Sequence, residues 1–153
     1  MSKKFKIGML AGVAELYLRL WTSENHSQLQ QLVDETAESL SNDWIEVIKS
    51  DIVSTAEQIE NVCSKFDAED VDLLVVTLAP YCPSGVIAPA LLRRKTPVVL
   101  WPVQSMFELV PEKYDRAAIN LNHGVHAVQD LASVLRKSGK TFGVIHGHLQ
   151  QND

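Results

Sequence analysis

The chain has 153 residues, the size of one domain, with 46% hydrophobic and 22% charged residues, so a single buried core is expected rather than a disordered or fibrous chain. A formal net charge of −5 and the lack of a basic tail or stripe exclude a general nucleic-acid or anionic-membrane binder. Two cysteines, Cys63 and Cys82, make no disulfide framework, the short apolar run after Met1-Ser2-Lys3-Lys4 makes no signal peptide, and no stretch is long enough to span a bilayer, so a cytoplasmic protein is expected.

Phe5 to Ala11 is an apolar run ending near Gly12 and reads as a buried first strand. A helical stretch follows to about Trp21. Leu29, Leu32, Val33, Ala37 and Leu40 then share one helical face. Trp44 to Ile48 reads as the second strand. Ser54 with Glu57 has the spacing of a capping box, and Ile59, Val62, Cys63 and Phe66 form the apolar stripe behind it.

Leu73 to Ala79 is apolar on both faces, as a central parallel strand should be. Pro80 stops it, and Pro83 suits the first turn of a helix running to about Lys95. The basic run Arg93-Arg94-Lys95 falls where that helix ends, which fits compensation of the helix dipole. Pro97 to Trp101 is the fourth strand. An irregular passage runs from Pro102 to about Asn120. Val125, Val128, Leu131, Ala132 and Leu135 mark a further helix, with Gly139 placed to follow its end. Thr141 to Ile145 is the fifth strand.

This β-α alternation over 1–153 predicts a single α/β domain. Its architecture is a three-layer, doubly wound, five-stranded parallel sheet with a flavodoxin-like (Rossmann-like) strand order. The chain stops soon after the fifth strand, so a longer native polypeptide is expected. Several chemistries are missing. Gly8 and Gly12 do not make a dinucleotide fingerprint, no Walker A sequence occurs, and there is no G-x-S-x-G elbow. The ends of strands one and three, Leu10-Ala11 and Leu78-Ala79, carry no phosphoacceptor acid.

Strand ends and the starts of returning helices share one edge of a parallel sheet, the edge where such sheets bind ligands. Four of the five histidines fall there, in Asn120-Leu121-Asn122-His123-Gly124-Val125-His126 and Gly143-Val144-Ile145-His146-Gly147-His148. Tyr81 and Gln104 join them. Such a polar and aromatic rim suits small polyols. Two sharper possibilities stand against blander ones. His123 with His126 and His146 with His148 have spacings that fit a metal site, but no acid adjoins either pair, and a hydrogen-bonded loop is preferred. Cys82 at a helix start could be a nucleophile, but it directly precedes a proline, and packing is preferred. Trp21, Trp44 and Trp101 are assigned to the core or to a subunit interface.

Four segments together resemble the N-terminal domain of the L-fucose/L-arabinose isomerase family, in order and over essentially the whole chain. They are Val75-Val76-Thr77-Leu78-Ala79-Pro80-Tyr81-Cys82-Pro83-Ser84-Gly85, Pro97-Val98-Val99-Leu100-Trp101-Pro102-Val103-Gln104, the Asn120 to His126 segment, and Gly147-His148-Leu149-Gln150. The resemblance implies an aldose–ketose isomerase of carbohydrate metabolism whose metal ligands and acid/base groups lie in later domains of the same polypeptide. It implies Mn²⁺ in the intact enzyme, no cofactor in this chain, a sugar substrate and a homo-oligomer, with neither nucleic acid nor membrane as partner. Glu15, Leu16, Tyr17, Tyr81, Gln104 and His126 would then be substrate-binding, no residue here would be catalytic or metal-binding, and the isolated chain would lack turnover. Val13-Ala14-Glu15 and Pro102-Val103 depart from the family's Ser-Gln-His and His-Thr, which leaves the sugar open. The alternative is a standalone flavodoxin-like module that binds a small molecule such as a sugar, or a protein, without catalysis.

Overall fold

The computed structural model describes residues 3–108, 110–113 and 115–149. Five strands alternate with helices in the expected way: β1 (Phe5–Gly12), α1 (Glu15–Leu20), α2 (Ser23–Leu40), β2 (Ile45–Val53), α3 (Ala56–Ala68), β3 (Leu73–Thr77), α4 (Ser84–Leu92), β4 (Val98–Trp101), a 3-10 turn (Pro111–Lys113), α5 (Arg116–Leu121), α6 (Gly124–Lys137) and β5 (Phe142–Val144). The sheet is wholly parallel with order β2-β1-β3-β4-β5, the flavodoxin-like order.

Alternate strand residues feed two cores, because successive side chains of a strand point to opposite faces. Leu10, Leu74, Val76, Val98 and Leu100 meet α3, α4 and α6 through Ile59, Phe66, Ile87, Leu91, Leu131 and Leu135. Ile7, Met9, Ala11, Val75 and Trp101 meet Leu29, Leu32, Val33 and Ala37 of α2 and Leu121 of α5 on the other face. β5 is less covered, with Gly143 exposed and Phe142 and Val144 half-buried.

Several boundaries differ from expectation. β2 runs to Val53, well past Ile48, because it is an edge strand whose Glu46, Lys49 and Asp51 face solvent and interrupt the apolar pattern. The capping box of α3 is one residue later than expected: Thr55 accepts from the Gln58 N–H, while the Gln58 side chain accepts from the Thr55 N–H. Pro83 is the residue before α4 rather than part of its first turn, and α4 ends at Leu92. The passage after Pro102 contains a helix, α5, started by the Asp115 carboxylate accepting from the Ala118 N–H at 2.9 Å. Arg93 and Arg94 are ion-paired across to α3: both reach Glu60, and Arg94 also reaches Asp67. Trp101 is buried and Trp21 half-buried, whereas Trp44 is 72% exposed.

α6 ends as its sequence requires. Lys140 N–H donates to Leu135 C=O, Gly139 N–H donates to Arg136 C=O, and Gly139 takes the left-handed φ of 73° on which this Schellman closure depends. The helix therefore delivers the chain directly into β5.

Candidate functional site

Parallel strands put all their carboxyl ends on one edge, and three loops are tied together there. The Ala14 N–H, after β1, donates to the Tyr81 C=O, after β3, at 2.9 Å. The Val13 N–H donates to the Val53 C=O at the end of β2, also at 2.9 Å. α6 starts hard against β3, since Gly124 lies so close to the Leu78 carbonyl that a Cβ would sit 1.8 Å from its oxygen. Asn122 staples the segment after β4 to this junction: its Oδ1 accepts from the Met106 N–H at 3.1 Å, and its Nδ2 donates to the Ser105 hydroxyl at 3.1 Å and to the Ala118 C=O at 2.8 Å.

These ties bring four rings together. His123 and His126 lie with ring centroids 4.5 Å apart, and Tyr81 lies 5.8 Å from His123. The Tyr17 hydroxyl stands 3.4 Å from His123 Nδ1, and the Tyr17 ring stacks on Trp21 at 5.3 Å. Behind them, one carboxylate oxygen of Asp130 accepts both the Tyr81 hydroxyl, at 3.0 Å, and the Ser84 N–H, at 2.9 Å.

Burial, with the neighbouring His126, holds the His123 imidazole below its ordinary value, so His123 is neutral at pH 7. Burial and then the Asp130 carboxylate raise the Tyr81 phenol, and burial alone raises Tyr17. Burial opposes ionisation of Asp130, but the bonds from Ser84 and Tyr81 outweigh it and keep its carboxyl below the ordinary range. Tyr17, Tyr81 and His123 thus present uncharged rings at neutral pH, beside a half-buried carboxylate held by Tyr81 and Ser84.

The expected residues divide. Tyr17, Tyr81 and His126 converge, together with His123. Glu15 is exposed and ion-paired with Arg19 one turn along α1, and Leu16 is exposed beside it. Gln104 is half-buried on the segment that Asn122 anchors. His148 packs against Phe107 at 5.3 Å, and His146 is exposed. Among the described residues, no group of three or more His, Cys, Asp or Glu side chains could hold a metal ion. Gln150, which closed the fourth segment of the resemblance, lies outside the described residues. Asp130 was not anticipated, since an acid inside a helix ordinarily reads as solvated. Its signal was its spacing: His123, His126 and Asp130 recur at intervals of three and four, which places them along one helical face.

Cys82 is fully buried among apolar groups, and desolvation pushes its thiol up to about 12. Cys63 is likewise pushed up to about 11 by burial. Neither supplies a thiolate near neutral pH. Native protein should therefore leave both thiols unmodified by a thiol reagent at pH 7 and expose both on denaturation. Rapid labelling of the folded protein would contradict this packing.

Larger hollows lie away from the ring cluster. One of about 490 Å³ runs between α2 and the 105–121 segment, with Glu24, Gln28, Glu35 and Asp115 in its walls. Another of about 510 Å³ lies against β4 and β5, beside Leu73, Val99, Lys140 and Gly143. The first is walled largely by carboxylates and amides, and the second by aliphatic groups, two lysines, Thr141 and Phe142. Among the described residues, aromatic rings, imidazoles and a tethered carboxylate meet at the sheet edge, which is therefore the candidate site. Among the described residues, no helix is long and apolar enough to cross a membrane.

No family model matches the chain, and no curated protein matches it. Among solved structures, it is similar to a periplasmic binding protein from Burkholderia mallei, with 15% identity and a TM-score of 0.36 over 98% of this chain and 48% of that one. The chain thus spans about half the length of that structure, and a likeness so weak carries no argument about function. The resemblance to the L-fucose/L-arabinose isomerase family is overturned: no family model and no curated protein supports it, and nothing found among solved structures points to such an isomerase. The apolar segments that carried it, Val75 to Ala79 and Val98 to Trp101, are what two-sided burial in a parallel sheet demands. Their order along the chain follows from β-α alternation. The isomerase and manganese expectations rested on that resemblance and lose their ground with it, leaving a doubly wound α/β domain with a ring cluster at its carboxyl edge.

Proposed function

We propose that the carboxyl edge of the sheet binds a small, neutral, hydroxyl-rich molecule, such as a sugar or sugar alcohol, by stacking and hydrogen bonding and without covalent chemistry. The observation that carries this reading is the convergence of Tyr17, Tyr81, His123 and His126 from three separate elements onto one surface. Neutral imidazole and phenol groups both donate and accept hydrogen bonds, as hydroxyl-rich ligands require. Their ring faces suit the C–H faces of such ligands. The Cys82 thiol is buried and the Asp130 carboxylate is engaged by Tyr81 and Ser84, so neither serves as an activated nucleophile at this surface.

An open surface implies modest affinity. About four hydrogen bonds, each worth about 1 kcal/mol net, correspond to a dissociation constant near 1 mM. Titration of isotope-labelled protein with xylitol should move the amide resonances around residues 14–17, 81–84 and 123–126. His123→Ala should weaken binding about five-fold through loss of one such bond. No movement at xylitol concentrations well above that affinity would defeat the reading. A protein-binding surface is the second reading, favoured by Leu16 and Leu20, which lie one residue before and three residues after Tyr17 on α1 and are 60% and 71% exposed.

A further inference from the structure

We infer that Asp130 is a positioning residue that fixes Tyr81 as a hydrogen-bond acceptor toward the site, so that the site selects ligand groups that donate. The inference rests on the binding reading above and names what that surface discriminates. A carboxylate has no hydrogen to give. The oxygen of Asp130 that faces Tyr81 already accepts the Ser84 N–H at 2.9 Å, and it lies at the N-terminal end of α4, where negative charge is favoured. The hydrogen in the 3.0 Å bond between Tyr81 and Asp130 therefore belongs to the phenol. Once that hydrogen is committed, Tyr81 has only lone pairs left for a ligand.

A phenol free to rotate would accept or donate as the ligand required. Tethered to Asp130, it accepts only. Hydroxyl and amino groups can satisfy it, whereas an ether or carbonyl oxygen would meet it lone pair to lone pair. The remaining groups do not cancel this preference. Tyr17 faces His123 and can share its hydrogen there, and His126 stands exposed at the rim. Tyr81 is thus the member of the cluster whose polarity is set from behind.

Asp130→Ala tests this, because it removes the single oxygen that accepts both the Tyr81 hydroxyl and the Ser84 N–H and so leaves the phenol hydrogen free to turn outward. Two measurements follow, with thermal melting to confirm that each variant is folded. In alkaline absorbance titration, with Tyr81→Phe identifying the Tyr81 signal, Asp130→Ala should lower the Tyr81 ionisation, because the carboxylate that burdens the phenolate is gone. In ligand titration, wild type should favour xylitol over its penta-O-methyl ether, and Asp130→Ala should shrink that ratio about ten-fold, as expected when a donor–acceptor mismatch with the ether is relieved. The bulk of the methyl groups is the same for both proteins and cancels in the comparison. Should Asp130→Ala fail to fold, Tyr81→Phe alone should reduce the preference for xylitol, since it removes the acceptor and leaves Asp130 in place.

An unchanged Tyr81 titration in folded Asp130→Ala, or the same xylitol-to-ether ratio in wild type and variant, would overturn the inference. If neither probe binds wild type, the binding reading fails, and the absorbance titration still decides whether Asp130 sets the polarity of Tyr81.

Discussion

Gly124→Ala should lower stability by about 3 kcal/mol or more, at the top of the range for overpacking. Helix propensity alone gives the opposite sign, since alanine is favoured over glycine inside a helix by about 1 kcal/mol. Gly124 is the first residue of α6, and its φ is not positive, so no backbone strain would oppose alanine. Sterics decide instead. The new methyl carbon would sit 1.8 Å from the Leu78 carbonyl oxygen and 3.1 Å from that of Ala79. A flexible side chain could swing aside, but Leu78 is backbone in a loop whose N–H already donates to the Trp101 C=O at 3.0 Å. Either α6 or the end of β3 must move. For a domain of this size, 3 kcal/mol is a fall in melting temperature of roughly 6–12 °C. Gly85 provides the control: it is helical and exposed, and nothing lies within 4 Å of its notional Cβ. Gly85→Ala should raise stability by about 0.4–1 kcal/mol. Opposite shifts in melting temperature for the two variants are expected. A rise for both would mean that α6 does not approach β3 as described. Because His123 and His126 flank Gly124, its alanine variant should also disturb the amide signals of the ring cluster, even in the fraction that stays folded.

The same close approach separates what was readable in the sequence from what was not. The central strands β1, β3 and β4 were legible because burial on two faces leaves little but aliphatic residues. The second half of the β2 edge strand is not legible, because Lys49 and Asp51 face water and Ser50 is polar although buried, so the run lacks an apolar pattern. The shift of the capping box to Thr55 and Gln58 shows that neighbouring pairs, Ser54 with Glu57 and Thr55 with Gln58, both satisfy the pattern, and only backbone geometry chooses between them. At the site, histidine clustering and the shared-edge rule found Tyr81 and His126, because both follow from β-α alternation alone. Asp130 depended on how α6 packs against the start of α4. Arg94 is legible in part: it donates to the Ala90 C=O in the last turn of α4, as compensation of the helix dipole requires, but its partners Glu60 and Asp67 are remote in sequence and meet it only once α3 and α4 lie side by side.

Phe66→Ala should be the other large loss, about 3–5 kcal/mol, the usual cost of emptying a buried aromatic site. Phe66 on α3 is only 2% exposed, and its ring lies over Gly8 of β1. A Cβ at Gly8 would meet Phe66 Cγ at 2.8 Å and Cδ2 at 2.9 Å, with Leu74 Cδ2 at 3.2 Å. Gly8→Ala alone should therefore cost about 1–3 kcal/mol by overpacking. The two changes should not add, because the alanine methyl enters space that the ring vacates. Gly8→Ala in the Phe66→Ala background should be milder than in wild type, by a coupling of about 0.5–3 kcal/mol. Denaturant unfolding of the four proteins in this cycle measures that term, and strict additivity would mean that the ring does not lie over Gly8. The site should respond differently from its response to Gly124→Ala. Gly8 lies four residues before the end of β1, on the face toward α3, and touches none of the four rings. Folded Gly8→Ala protein should keep the xylitol affinity of wild type while melting earlier, whereas Gly124→Ala should lose stability and binding together, because α6 both closes the core and carries two rings of the site.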